Sequence, residues 1–132
     1  MGIQLNWYNE ERTRLWMTFE GDWTIDEFQQ AIITSSQMIE MQPHIVHTIS
    51  DFRRSSMPST AALVNIPVAI RHIKPNQGIA IVLTHNETVQ CLAQTATAMY
   101  PALRRRVYVV NSPELAERML AHFEKQVSIS AS

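Results

Sequence analysis

The stretch "GIAIVL" (78–83) is apolar at nearly every position and contains three β-branched residues. Two other runs of the same kind are "HIVHTIS" (44–50) and "RVYVV" (106–110). Strands that are apolar on both faces are typical of a parallel sheet with helices on either side. The three runs therefore predict the centre of an α/β sheet.

Two segments of alternating apolar and polar residues, "IQLNWY" (3–8) and "TRLWMTFE" (13–20), come before these strands and predict a β-hairpin. Helices are predicted where apolar residues recur at helical spacing. These helices are expected over 25–41, 87–100 and 113–126.

The first of these helices has a clear start signal, because Thr24 followed by Glu27 is a capping-box pattern. Its apolar stripe is interrupted by Ser35. Taken together, the elements predict a single α/β domain over residues 1–126, with a mixed five-stranded sheet covered by about four helices. Residues 127–132 are predicted to be a disordered tail.

The segment "AALVNIPVAIRHI" (61–73) is more apolar than a surface helix should be. Pro67 would bend a continuous helix, so the segment is either one kinked helix or a turn at 61–65 followed by a helix from near Pro67. A second copy of the chain, other elements of the same chain or an apolar ligand could cover its surface. The candidate dimer or ligand residues are Leu63, Val64, Ile66 and Ile70.

Composition excludes several classes of function. The net charge of −1 gives no overall field that would attract nucleic acid or an anionic membrane. No apolar run approaches the roughly 18 residues of a membrane span. Cys91 is the only cysteine, so no intramolecular disulfide can form and a cytoplasmic location is expected. Its place beside Leu92 predicts a buried thiol.

A polar stretch, "SDFRRSSMPST" (50–60), follows the middle strand. Ligands of open α/β sheets tend to bind at the carboxyl ends of the strands. The candidate partner-binding or ligand-binding residues at that edge are Trp23, Asp51, Arg53, Arg54 and His85. Alternatively, the two arginines are solvated loop charges and Trp23 folds over the edge of the sheet. Three further arginines, 104–106, precede the last strand.

The sequence contains no recognisable pattern for catalysis or cofactor binding. No two of the five histidines have the i, i+4 spacing of a helical zinc site. The three glycines form neither a dinucleotide-binding nor a phosphate-binding motif, and no nucleophile-elbow motif is present. We therefore predict no catalytic residue, no metal site and no cofactor.

Several phrases of the chain carry a family resemblance. They are Trp7 and Tyr8 in the first strand, "FEGDWTIDEF" (19–28), a strand that ends at Asp51, "KPNQGIAIVL" (74–83) and "MYPALRRRVYVVNSPELAERML" (99–120). The element order resembles the STAS domain of bacterial anti-sigma-factor antagonists. The phrases resemble more closely a bacterial family of STAS-like and CRAL-TRIO-related, lipid-transfer-like domains. The resemblance spans roughly residues 3–123 and implies the same α/β fold.

The resemblance implies a phosphoacceptor at Ser59 or Thr60, because the antagonists carry a phosphorylated serine about eight residues after the acid that ends the strand. Ser59 has this spacing from Asp51, but Pro58 and Ala61 stand where that family has an acid and a glycine. From the residues alone, Ser59 or Thr60 is expected to be an N-cap of the next helix.

These observations lead to two expectations. The first is a non-enzymatic regulatory or protein-interaction module, forming a homodimer or binding another protein. The alternative is a carrier or sensor of a small apolar or lipidic ligand held beneath the 61–73 helix. A closed apolar cavity under that helix would distinguish the second from the first.

Overall fold

The computed structural model describes residues 2–56 and 66–131, apart from the side chains of Ile66, Val89, Leu92 and 126–131. One mixed sheet has its five strands in the order β1-β2-β3-β4-β5. The β1–β2 pair is antiparallel, and the β2–β3, β3–β4 and β4–β5 pairs are parallel. The strands are β1 Ile3–Trp7, β2 Arg14–Gly21, β3 Val46–Ser55, β4 Gln77–Leu83 and β5 Val107–Val110. The predicted α/β class with a mixed five-stranded sheet is confirmed.

Within the described residues, four α-helices and a short 3-10 turn connect the strands and follow the last one. The helices are α1 Ile25–Glu40, α2 Ile66–Arg71, α3 Glu87–Met99 and α4 Pro113–Ala131, and the 3-10 turn is Pro101–Leu103. Helix α2 begins one residue before Pro67, where a proline removes no helical hydrogen bond. Residues 61–65 lie outside the described residues, so the choice between one kinked helix and a turn followed by a helix stays a prediction. Helix α4 includes residues 127–131, which were predicted to be a disordered tail.

The predicted capping box at the start of α1 is present. The Thr24 hydroxyl accepts a hydrogen bond from the Glu27 amide at 3.1 Å, and Glu27 Oε1 accepts one from the Thr24 amide at 3.2 Å. Glu27 Oε2 also accepts a hydrogen bond from the Gly2 amide at 2.7 Å. The same carboxylate therefore caps the helix and fixes the start of β1 beside it.

Among the described helices, α4 packs on one face of the sheet, here called the α4 face. Its buried Ala116 and Leu120 lie against large aliphatic side chains of β3 and β4. Helices α1, α2 and α3 all contribute to the opposite face, here called the three-helix face. The buried aliphatic side chains that the strands contribute to the α4 face are Ile49, Ile79, Ile81, Leu83 and Val110.

Strand β3 is longer than the sequence predicted. It continues through Ser55, because β2 extends to Gly21 and offers a parallel partner along this length, pairing Glu20 with Arg54 and Gly21 with Ser55. The prediction that this strand ends at Asp51 is therefore wrong. Asp51, Arg53 and Arg54 are strand residues.

Candidate ligand-binding cavity

A cavity of about 220 Å³ lies between the three-helix face of the sheet and helices α1, α2 and α3. The floor of the cavity consists of the inward side chains of β3 and β4. Its walls come from all three helices and from the segments that lead into β4 and β5. Floor residues include Thr48, Ser50, Ala80 and Val82, and wall residues include Ile32, Ala69, Ile73, Ala93 and Ala96.

The cavity exists because small side chains occupy the centre of the sheet on this face. Residues of β4 alternate, so that Ala80 faces the cavity while Ile79 and Ile81 face α4. Ile81 is fully buried (0% exposed), whereas Ala80 is only half-buried although it lies in the same strand. Water-sized space therefore reaches the middle of the sheet from the three-helix face.

One end of the cavity is aromatic. Phe19, Phe28 and Phe52 line it, and the rings of Phe19 and Phe52 stack with their centroids 4.2 Å apart. This end lies near the carboxyl ends of β2 and β3. It offers a contact surface without hydrogen-bonding groups.

The other end carries longer polar side chains. His72 follows α2, Gln77 begins β4, and Arg106 directly precedes β5. Since β4 and β5 are parallel, Gln77 and Arg106 share the amino edge of the sheet. Arg106 is the exposed residue among those that line the cavity, so this end lies closest to solvent.

Two serines of α1 contribute to the wall without making it polar. Ser35 Oγ donates to the Ile32 carbonyl at 3.0 Å, and Ser36 Oγ donates to the Ile33 carbonyl at 2.8 Å. Serine hydroxyls inside helices commonly satisfy themselves in this way. The hydroxyl protons of these two serines are therefore already used within α1.

Trp23 was a candidate for an exposed aromatic contact, and the structure corrects this. The residue is fully buried (0% exposed), and its indole Nε1 donates to Ser55 Oγ at 2.7 Å. The ring lies behind the aromatic end of the cavity, against Phe19 and Phe28, and does not line it. The alternative interpretation, a ring folded over the sheet edge, describes it correctly.

Asp51 and Arg53 form an ion pair on the α4 face. Arg53 donates to the Asp51 carboxylate from its amide, Nε and Nη2 at 3.0, 3.0 and 2.9 Å. Burial raises the pKa of Asp51, but the hydrogen bonds and charge of Arg53 outweigh it, so the pKa lies below its ordinary value. Arg54 and His85 are exposed. None of these four residues lines the cavity.

The remaining candidates are placed only in part. Ser59, Thr60, Leu63 and Val64 lie outside the described residues, as does the side chain of Ile66, so the phosphoacceptor and dimer hypotheses stay predictions. Ile70 is half-buried in α2 and is not among the residues that line the cavity, although its neighbours Ala69, His72 and Ile73 are. Cys91 is exposed, so the prediction of a buried thiol is wrong.

The residues that form the cavity were not predicted as a site. A signal was nevertheless present, because Gly78 and Ala80 alternate with Ile79 and Ile81 in a strand expected to be covered on both faces. Ser35 on the apolar stripe of α1 and Ala93 and Ala96 on that of α3 point the same way. Such small residues predict either a close approach of helix and sheet or a space between them, and the sequence does not distinguish the two.

An ion cluster on the α4 face joins that helix to β2. Arg14 is buried (8% exposed) and donates to Glu124 through Nε at 3.1 Å and through Nη2 at 2.5 Å. Its Nη1 donates to Glu117. Burial raises the pKa of Glu124, but the hydrogen bonds and charge of Arg14 bring it below its ordinary value. The cluster is remote from the cavity and connects two structural elements.

His47 lies between this cluster and β4. Its Nδ1 accepts a hydrogen bond from the Ile79 amide at 2.9 Å, which requires Nδ1 to be unprotonated. Gly78 leaves room for the ring, because a Cβ there would lie 2.1 Å from Nδ1. Burial lowers the pKa of His47, Glu124 opposes this and Arg14 adds to it, so the net direction is downward. The folded protein therefore holds His47 in its neutral form.

This environment predicts a pH-dependent stability. Because the pKa of His47 is lower in the folded state, the unfolded chain binds the proton more readily. The contribution of neutral His47 to the free energy of unfolding is fully present above the ordinary histidine pKa of about 6.5. It is lost as the pH falls through the lower folded-state pKa. We expect urea midpoints to be level from about pH 8 to 7 and to fall from about 6.5 toward 5.5.

His47→Gln provides the test of this assignment, because its amide oxygen can still accept from Ile79 but does not titrate. The decline between about pH 6.5 and 5.5 should become shallower in this variant. His85→Gln, in the exposed loop after β4, is the matched substitution. An equal loss of slope in both variants would contradict the role of His47.

Two further properties concern the described part of the chain. Within residues 2–56 and 66–131, no group of three or more His, Cys, Asp and Glu side chains is placed to hold a metal ion. None of the helices described there is long and apolar enough to cross a membrane.

Comparison of the chain with protein-family models, curated proteins and solved structures gives no match.

Proposed function

We propose that the domain binds a small apolar ligand in the cavity between the sheet and helices α1, α2 and α3. The observation that carries this proposal is the 220 Å³ space above small floor residues such as Ser50 and Ala80. An apolar protein cavity of about 150 Å³ takes up benzene, which has six heavy atoms. By the same ratio, this cavity has room for a ligand of about nine heavy atoms.

The position of the cavity agrees with the alternative expectation from the sequence, since Ala69, His72 and Ile73 of the 61–73 segment form part of its wall. The STAS-like and lipid-transfer-like resemblance is compatible with such a role and stays a hypothesis. A regulatory protein-interaction function has less support, because the Arg53 guanidinium is already engaged by Asp51. Only Arg54 of that pair remains well exposed, with its side chain 77% accessible.

A cavity-filling substitution tests the proposal. Ala93→Leu adds three heavy atoms to the α3 wall, which is about a third of the ligand space estimated above. We expect wild-type protein to bind 1-octanol, which has nine heavy atoms, with a Kd below about 1 mM. Ala93→Leu should weaken this binding at least tenfold, measured by isothermal titration calorimetry.

Ala98→Leu is the matched control, because Ala98 is exposed on the same helix and does not line the cavity. It should leave 1-octanol binding unchanged. Filling a void commonly stabilises a protein by about 0.5–2 kcal/mol, so Ala93→Leu should not lower the denaturation midpoint. Absence of 1-octanol binding in the wild type, or an equal loss in both variants, would refute the proposed function.

A further inference from the structure

The cavity changes character along its length. Phe19, Phe28 and Phe52 line one end and offer no hydrogen bond, whereas His72, Gln77 and Arg106 line the other. The aromatic end lies deep beside the buried Trp23, and the polar end reaches the solvent-exposed Arg106. A wholly apolar ligand would leave this polar end unused, but an amphiphile would match both ends.

The strand register gives the separation of the two ends. Val107 pairs with Ala80, and Ala80 pairs with Thr48. Phe52 lies four residues beyond Thr48, and Arg106 lies one residue before Val107, so the two are offset by five residues along the strands. At about 3.3 Å per residue this is roughly 16 Å. An extended ligand that lies along the strands would therefore have one end toward Phe52 and the other toward Arg106.

The permanent charge of the described cavity lining is positive only. Arg106 is the only permanently charged residue among the described residues that line the cavity, and no Asp or Glu is among them. In the described part of the chain, no hydrogen bond or ion pair engages the Arg106 guanidinium. This sets it apart from Arg14, Arg53 and Arg54, which all pair with carboxylates. A cation without a partner at the mouth of an apolar cavity favours an anion.

From this arrangement we infer that the cavity binds a small amphipathic carboxylate, with its chain toward Phe19, Phe28 and Phe52 and its carboxylate on Arg106. The inference rests on the proposed function and adds the chemical class of the ligand. The flat guanidinium can bind both carboxylate oxygens at once. This fixes the orientation of the head group and also increases its affinity. An exposed head and a buried chain also leave no charge in the apolar part of the cavity.

A matched pair of ligands separates this inference from the proposed function. Octanoate and 1-octanol share an eight-carbon chain and differ in the charge of the head group, and octylamine supplies the opposite charge. At pH 7.5 and constant ionic strength, we expect octanoate to bind about tenfold more tightly than 1-octanol, since charge-assisted hydrogen bonds are the stronger kind. Octylamine should bind more weakly than either. Calorimetry on the full-length chain gives all three constants.

Two single-charge variants locate the head group. Arg106→Gln should reduce the ratio of octanoate to 1-octanol affinity to about two or less, with 1-octanol binding unchanged. Arg104→Gln removes the same charge two residues away, at an exposed position that does not line the cavity, and should leave the ratio near its wild-type value. Arg106→Lys should retain a part of the preference, because it keeps the charge but not the two-pronged geometry.

Each outcome bears on a different claim. Equal binding of octanoate and 1-octanol by the wild type would overturn the carboxylate inference and leave the proposed function standing. An equal effect of Arg104→Gln and Arg106→Gln would also overturn it, because the preference would then reflect only the general charge of the arginine cluster. If neither ligand binds, the proposed function itself fails.

Discussion

Replacing Trp23 with alanine is expected to lower the free energy of unfolding by about 3–5 kcal/mol, the range found for large aromatic side chains in cores. The indole is fully buried and packs edge-on against Phe19 with the ring centroids 5.4 Å apart. Its ring centroid lies 5.7 Å from that of Phe28.

The measurement is chemical denaturation followed by circular dichroism, with two companion variants. Trp23→Phe keeps an aromatic ring but loses the hydrogen bond to Ser55, and should cost about 1–2 kcal/mol. Trp16→Ala removes a half-buried indole that stacks on Tyr8, and should cost less than Trp23→Ala. A Trp23→Ala cost of about 1 kcal/mol or less would contradict the packing described here.

The same substitution has a consequence for the cavity. Trp23 supports Phe19, Phe28 and Phe52, which form its aromatic end. Removing this support lets these rings move into the new void. Ligand affinity should therefore fall with stability in Trp23→Ala, whereas Ala93→Leu should reduce affinity without reducing stability.

Most of the elements could be predicted because their signals are local. The pattern of Thr24 and Glu27 predicts the start of α1, and the apolar run 78–83 predicts β4. The end of β3 could not be predicted in this way, since Arg53 and Arg54 are charged and resemble a loop. They belong to the strand because β2 provides hydrogen-bonding partners as far as Gly21, and this depends on the pairing of distant segments.

The site was harder to predict than the fold. Ala80, Ala93 and Ala96 lie in three places on two elements, and each is an ordinary core residue when considered alone. Whether small side chains bring two layers together or leave a space depends on how the whole of α1 and α3 is held. Arg106 was noted as one of three adjacent arginines, but only the folded structure places it, rather than Arg104, at the cavity.

The two faces of the sheet therefore have different roles. On the α4 face, large aliphatic side chains and the Arg14 cluster fix the helix on the sheet. On the three-helix face, small side chains make fewer van der Waals contacts than large ones would. This lowers the stability of the fold but leaves the cavity open. Such an exchange of stability for function is common at binding sites. We therefore expect packing on the α4 face to offset much of the stability that is lost at the cavity.

A second large effect is expected on the α4 face itself, where Arg14→Met should lower the free energy of unfolding by about 2–3 kcal/mol. Arg14 holds both Glu117 and Glu124 from a buried position. Removing one partner of a buried ion pair typically costs about 3–5 kcal/mol, because the remaining charge is left uncompensated. The Glu124 and Glu117 side chains are 29% and 49% exposed, so solvent screens part of this cost.

Two variants test whether the cost comes from the unpaired carboxylate. Arg14→Met combined with Glu124→Gln removes the arginine and the more buried of its two carboxylates, and should recover part of the loss, because only the half-exposed Glu117 carboxylate then remains without its partner. Arg54→Met makes the same change at an exposed pair with Glu20, at 3.5 Å, and should alter stability by about 0.5 kcal/mol or less. If Arg14→Met proves as mild as Arg54→Met, then the ion cluster does not hold α4 on the sheet. In that case the aliphatic contacts of Ala116 and Leu120 alone must account for the stability of this face.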